Sequence, residues 1–293
     1  MTGARLTATL HNDPGCPWAY SVNPALRVLE WRYGSQLEWR LVLIGLAERA
    51  EQYVARGYTP RGVVTGYTRF RRYGMPFSPH LRPRVLGTGR ACRAVAAARF
   101  VAPGSEWQVF RALQFAWFTS AALLDEDEAL HDVVARVPGV DAAAVIAHLD
   151  APEVTAAYES DRAEARRASL RPAELQGKTV QTDGPVRYSA PSLILECDGR
   201  RLEAGGFQTI QAYDVLVANL DPGLSRRAAP DGPAPLLDAF PGGLTTQEVA
   251  ALLVAGNDEP DRLGAERAQP HPLRPARAAR APLGDDALWL RAR

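Results

Sequence analysis

The sequence predicts an α/β fold in which a small sheet is split by a large helical insertion and followed by a small C-terminal extension. Three observations carry this. Strand-like sequence opens the chain, residues 46–177 are alanine-rich and lack strand alternation, and strand-like sequence returns only afterwards.

Residues 5–12 (RLTATLHN) alternate in character and carry β-branched threonines, so they read as a strand. Asp13, Pro14 and Gly15 interrupt that pattern. From Cys16 to Tyr33 the apolar positions Leu26, Leu29 and Trp31 fit a helix ending near Gly34. Leu37–Ile44 (LEWRLVLI) reads as a second strand, closing a β-α-β unit over residues 1–45. Inside 46–177, helices are predicted over Ala91–Val101, Trp107–Leu124, Glu128–Val137, Ala142–Leu149 and Ala151–Ala168, separated by proline and glycine. Residues 178–222 supply the second half. Ser192–Cys197 (SLILEC) is a buried-strand pattern, Asp198-Gly199 a hairpin turn, Arg201–Ala204 the return strand and Thr209–Leu220 a closing helix. Residues 223–235 suit a linker, and 236–293 form a separate small module or a docked extension.

Composition narrows the function. The chain has 293 residues, 46% hydrophobic and 23% charged, which are ordinary globular values. A formal net charge of +1 advertises neither nucleic acid nor membrane binding. The sequence has no apolar run long enough for a transmembrane helix. Its first residues hold no signal-peptide core, so the cytoplasm is the expected compartment. Cys16, Cys92 and Cys197 are too few and too dispersed for a disulfide framework or a zinc site, and no metal is expected.

The informative segment is Asp13-Pro14-Gly15-Cys16-Pro17-Trp18-Ala19-Tyr20. A cysteine at a helix N-terminus meets unpaired backbone N–H groups and the positive end of the helix dipole. Both favour the thiolate, which is the nucleophile. Pro17 suits the first turn, and Trp18 can shield the sulfur or pack on a substrate. The alternative is a buried structural cysteine, the commoner role of a lone thiol. Farther on, Tyr188-Ser189-Ala190-Pro191 places a proline at a strand start, where a cis bond would be a specific structural device.

Cys-Pro-Trp after Asp-Pro-Gly, the helical insertion, and Ala190-Pro191 before a hairpin together resemble the DsbA-like branch of the thioredoxin superfamily. The chain is most similar to its cytoplasmic, actinobacterial FrnE-like group, related to 2-hydroxychromene-2-carboxylate isomerases and kappa-class glutathione transferases. The resemblance spans residues 5–222. It implies a thioredoxin-like fold, Cys16 as nucleophile, and Pro191 as the cis-proline that lies against it and orients the bound thiol or peptide. One departure matters. Redox members carry Cys-x-x-Cys, whereas the fourth position here is Ala19. A dithiol enzyme releases its mixed disulfide with the second sulfur. A second thiol must therefore come from solution, from substrate, or from Cys92 or Cys197. Core packing is the reading for both, with Cys92 the more open.

Residues 61–93 contain Arg61, Arg69, Arg71, Arg72, Arg82, Arg84, Arg90 and Arg93, with His80 and without Asp or Glu. Tyr67, Phe70, Tyr73 and Phe77 are interleaved. Clustered guanidiniums bind carboxylates well, so this stretch either faces Cys16 and holds an anionic partner or is a solvated face balanced by acids elsewhere. RNA binding is a looser reading of the same interleaving. The acidic run Asp125–Glu128 reads as a helix start. In the tail, Thr245-x-x-Glu248 is a capping box resembling the first helix of a helix-turn-helix module, and Leu283–Leu290 reads as a wing or short hairpin. Pro270, Pro272 and Pro275 fit poorly with a long recognition helix.

The expected site is thus Cys16, Trp18 and Pro191 as catalytic residues, with Pro17, Ala190, Arg71 and Arg72 contacting substrate. The expected function is a monothiol thiol–disulfide oxidoreductase or isomerase acting on a small-molecule or protein partner. No tightly bound cofactor is expected, and mycothiol or glutathione would serve as the external thiol. The alternatives are a thiol-dependent small-molecule isomerase or transferase, and a binding protein that kept the fold without turnover.

Overall fold

The computed structural model describes residues 6–168, 176–181, 184–268 and 278–292. Strand β1 (Leu6–Asn12) is the centre of the main sheet. It pairs in parallel with β2 (Leu37–Leu43) and antiparallel with Ser192–Cys197. Arg200–Gly205 pairs with the latter at the sheet edge. Buried β1 positions Leu6, Ala8 and Leu10 alternate with Thr9 and His11, as a strand covered on both faces requires.

The single helix expected over residues 16–33 is two: α1 (Pro17–Ser21) and α2 (Asn23–Tyr33). Pro24 has no N–H to continue the α1 ladder, so the chain restarts at Val22. Leu26, Leu29 and Tyr33 of α2 pack against the sheet with Tyr213 and Val217 of the closing helix, residues 210–220.

The insertion contains α3 (Ala50–Val54), α4 (Pro60–Thr68), a tight turn over Arg69–Tyr73, and α5 (Gly89–Val101) to α9 (Pro152–Ala165). Helix α5 runs through its middle, where Ala91, Cys92 and Ala94–Ala98 are buried. Small side chains let neighbouring helices approach on several sides. Between them lie α6 (Glu106–Thr119), α7 (Asp127–Val134) and α8 (Ala142–Ala147). The expected extension of α6 to Leu124 fails because Ser120 is extended and Arg82 ends the helix. Its guanidinium donates to the carbonyls of Trp117 (2.7 Å), Ser120 (3.0 Å) and Ala122 (3.0 Å). A cation there satisfies carbonyls that continued helix would otherwise bond.

Strands β3 (Thr179–Val180) and β4 (Arg187–Tyr188) form a short ribbon that precedes β5 (Ser192–Cys197) and β6 (Arg200–Gly205). The closing helix is α10 (Ile210–Leu220), with Thr209 as its N-cap.

The described residues of 234–268 and 278–291 form a docked module. It runs α11 (Ala234–Ala239), β7 (Leu244–Thr245), α12 (Thr246–Leu253), α13 (Arg262–Ala268), β8 (Ala278–Leu283) and β9 (Asp286–Arg291). Its sheet order is β7-β9-β8, and Leu283–Leu290 spans the β8–β9 hairpin turn. Pro270, Pro272 and Pro275 lie outside the described residues. The capping box is present: Glu248 N donates to Thr245 Oγ1, and Thr245 N to Glu248 Oε2 at 2.7 Å. Leu244, Val249, Leu252 and Trp289 pack on Val28 and Trp31 of α2.

Charge fixes the docking. The fully buried Glu248 takes two 2.7 Å bonds from Arg111 of α6, whose guanidinium also donates to Gly243 O at 3.0 Å. Burial alone would raise the Glu248 pKa, but the Arg111 guanidinium holds it below the usual carboxylate range. Removing one member leaves a buried charge alone, which costs about 3–5 kcal/mol. Arg111→Ala is therefore expected to lower the denaturation midpoint and raise cleavage within residues 223–233, ahead of α11, in limited proteolysis. Unchanged values for both would contradict this docking.

Candidate active site around Cys16

Asp13 organises the loop that carries Cys16. Its buried carboxylate accepts Gly15 N (2.9 Å) on Oδ1, and Leu46 N (2.8 Å) and Thr88 Oγ1 (2.9 Å) on Oδ2. The Cys92 thiol donates to the same Oδ2 at 3.6 Å. The β1–α1 loop, the segment after β2 and the start of α5 are thereby tied to one side chain. Burial raises the Asp13 pKa, and these hydrogen bonds oppose the rise. Gly15 permits the close approach. A Cβ there would lie 2.6 Å from Thr88 Cγ2 and 2.9 Å from Trp117 Cζ2.

Cys16 is the N-cap of α1 and is 5% exposed. Its thiol donates to Ala190 O at 3.2 Å, across the cis Ala190–Pro191 peptide. Two distant segments of sequence therefore meet at one sulfur. The expected thiolate is not what this environment favours. Burial pushes the Cys16 thiol up to about 12 from an ordinary value of 9.0, the Asp13 charge adds to the rise, and the N–H groups of Ala19 and Trp18 do not offset it. Helix-end polarity is present, but desolvation wins.

Cys16 opens onto a pocket of about 470 Å³. Its wall is aromatic: Trp18, Tyr53, Tyr58, Tyr67, Phe70 and Trp117. Arg56, Arg82, Arg84, Arg187 and His80 also line it, and no carboxylate does among the described residues. Trp18 is 40% exposed and stands edge-on to Phe70, with ring centroids 4.8 Å apart. Pro17 borders the same space.

Arg71 and Arg72 do not line this pocket. Arg71 donates to Phe77 O and pairs with Asp285, while Arg72 lies over the Tyr73 ring at 4.9 Å and donates to its hydroxyl. Their sequence neighbours Tyr67, Phe70, His80, Arg82 and Arg84 take the wall instead. Acids elsewhere balance part of the stretch. Arg84 pairs with Asp125 and Glu126, and Arg90 with Asp127 and Asp150.

Cys92 is fully buried rather than open, because α5 is enclosed by other helices. Cys197 is buried at the far end of β5 from Pro191, and all three cysteines are free thiols. Asp13, Tyr53, Arg56, Tyr58, Trp117 and Arg187 are the site residues that sequence reasoning missed. For Asp13 the only sequence signal is its place three residues before Cys16. Among the described residues no His, Cys, Asp and Glu group forms a metal site, and no helix is long and apolar enough to cross a membrane.

Asp13→Ala would leave several buried donors without an acceptor, each costing about 1–3 kcal/mol. A loss of roughly 3 kcal/mol or more is expected in urea denaturation. Gly15→Ala is expected to cost about 1–3 kcal/mol through overpacking against Thr88 and Trp117. Wild-type stability in either variant would show that the loop is not held in this way.

No family model matches the chain, and no curated protein does. Solved structures do. A Nitrosomonas europaea protein assigned as a disulfide isomerase is 16% identical, with a TM-score of 0.56 over 73% of this chain and 97% of that one. Cytosolic disulfide reductase DsbM from Pseudomonas aeruginosa, also solved with GSH, is 19% identical, with a TM-score of 0.52 over 73% and 98%. A Streptomyces coelicolor protein assigned as a DsbA oxidoreductase is 16% identical, with a TM-score of 0.54 over 75% and 92%. Identities this low speak for architecture, and the architecture is the thioredoxin-like fold with a helical insertion found in DsbA-like proteins.

Proposed function

We propose that this protein is a thiol–disulfide oxidoreductase that works through Cys16 alone, with an anionic low-molecular-weight thiol as its second sulfur. The observation that supports this best is the placement of the Cys16 thiol. It sits at a helix N-terminus, bonds to Ala190 O beside the cis peptide, and opens into a cationic aromatic pocket.

In the first step the Cys16 thiol gives its proton to solvent. Its sulfur attacks one sulfur of a disulfide, the S–S bond breaks, and a mixed disulfide forms with Cys16. The departing thiolate takes up a proton. A second external thiolate then attacks the mixed disulfide, forms a new disulfide with the bound group, and releases Cys16, which is reprotonated. Electrons balance without a further oxidant, because one thiol replaces another. Ala19 leaves no neighbouring sulfur to do this internally, and the Cys92 thiol faces Asp13. The pocket arginines suit the carboxylates of glutathione, whereas mycothiol carries no carboxylate and would offer them hydroxyl and amide groups. Trp18 and Phe70 suit an apolar portion of the partner. Pro17 borders the bound group, while Pro191 sets the Ala190 carbonyl opposite the sulfur. We place the protein in the cytoplasm, where small thiols are abundant and DsbM is described as cytosolic.

The high Cys16 pKa favours a second reading, in which the thiol stays protonated and a small-molecule isomerase or transferase uses the pocket to position a thiol cofactor. Mass spectrometry after exposure to glutathione disulfide separates the two. The first reading expects a mixed disulfide on Cys16 only, abolished in Cys16→Ser. It also expects Arg56→Ala to raise the half-saturating disulfide concentration about tenfold, the scale of one charge-assisted hydrogen bond. No adduct on Cys16 in the folded wild type would rule the first reading out.

A further inference from the structure

The C-terminal module reaches the pocket wall through its hairpin. The turn between β8 and β9 carries Gly284 and Asp285. Asp285 Oδ1 accepts the Phe77 N–H at 2.9 Å. Its Oδ2 lies 3.2 Å from Arg71 Nε, which also donates to Phe77 O at 3.1 Å. A carboxylate, a guanidinium and both polar groups of one peptide residue therefore form a closed ring of contacts. Beside it, a side chain on Gly284 would lie 2.9 Å from Thr119 Cγ2 and 3.1 Å from Ser78 Cβ, so the turn is wedged against α6 and the segment after Phe77. One step inward, the Thr245 hydroxyl meets Met75 Sδ at 3.4 Å.

What this grip holds is the wall beside Cys16. Phe77 stacks with Phe70, centroids 6.0 Å apart. Phe70 stands edge-on to Trp18, two residues from the thiol. Tyr73, between the two gripped positions, lies 5.6 Å from Trp18. Short, partly exposed segments such as 69–77 hold one conformation only when contacts outside them do so.

We propose that the C-terminal module is a positioning element for the pocket, and that Asp285 is the positioning residue. It holds Arg71 and the Phe77 backbone, and through Phe70 it fixes Trp18 at the pocket mouth. Arg71 thus serves the site from behind rather than by touching substrate. The module governs how well a bulky aromatic anion is admitted, not the chemistry of the thiol.

Two readouts on the full-length chain test this. The first is independent of the proposed reaction. Acrylamide quenching of Trp18, taken as the difference between each protein and its Trp18→Phe counterpart, is expected to rise about twofold to threefold in Asp285→Asn, the scale of a partly exposed ion pair. Arg71→Ala is expected to produce the same rise, and the double variant no more than either alone, because both remove one contact ring. Unchanged quenching, or fully additive effects in the double variant, would overturn the proposal. Urea denaturation of each variant confirms that the comparison is between folded proteins, and Asp285→Asn keeps the side-chain shape should Asp285→Ala fail to fold.

The second readout rests on the thiol reading above and uses 5,5′-dithiobis(2-nitrobenzoate), an aromatic dianionic disulfide, as the probe. Asp285→Asn is expected to raise its half-saturating concentration about threefold while leaving the rate at saturation and the iodoacetamide rate at Cys16 unchanged. A drop in the saturated rate with unchanged half-saturation would contradict positioning. A wild-type Cys16 inert to the probe would overturn the thiol reading and leave the quenching result to decide the positioning role.

Discussion

A buried carboxylate must be met by donors, and Asp13 is the one on which the rest of the site depends. Its acceptors gather Gly15 from the first loop, Leu46 from the segment after β2, and Thr88 and Cys92 from the start of α5. These belong to the sheet half and to the insertion. The satisfaction of one side chain therefore locks two structural units together at the point where Cys16 is presented. The other half of the sheet arrives separately. Ala190, which precedes β5, brings its carbonyl to the Cys16 thiol. Loop, insertion and second sheet half thus meet within a few ångströms of one sulfur.

The same burial decides the character of that sulfur. The start of α1 offers N–H groups that would stabilise a thiolate, yet the thiol is almost wholly enclosed and shares its surroundings with the Asp13 charge. Desolvation is the larger effect, so the resting state is a protonated thiol that donates to Ala190. The pocket in front carries the opposite character, with arginines and aromatic rings and no carboxylate among its lining residues. Much of that positive charge is already engaged. Arg82 is spent on the carbonyls ending α6, and Arg84 on Asp125 and Glu126. Arg56 makes no ion pair among the described residues, only a contact with the Tyr53 ring, and lines the pocket.

Local sequence carried much of this architecture. The β-α-β opening, the helical insertion, the β-hairpin after Pro191 and the Thr245 capping box depend on nearby residues, and each was legible. Helix ends were less so, because Pro24 and Arg82 act through hydrogen bonds the linear pattern does not display. In the site, Cys16, Pro17 and Trp18 follow from their places around a helix start, and Ala190-Pro191 from its place before a strand. Part of the arginine-rich stretch lines the pocket, through Arg82 and Arg84 rather than Arg71 and Arg72. Arg71 is held instead by Phe77 and Asp285, the latter more than 200 residues away. Asp13 was hidden for the same reason, since its partners are distant in sequence. The Cys16 pKa depends on enclosure, which no local motif encodes.

The most direct measurement is the thiolate titration of Cys16, followed by ultraviolet thiolate absorbance in the full chain with Cys92→Ala and Cys197→Ala. A raised pKa means the fold prefers the protonated thiol. The stabilisation is complete below the ordinary value of 9.0 and is lost as pH rises through the folded value. The account predicts no thiolate signal at neutral pH, a rise approaching pH 12, and a parallel fall in stability above roughly pH 9. A thiolate midpoint below about 7 with stability unchanged on the alkaline side would contradict it, and would show that the helix terminus outweighs burial at this sulfur.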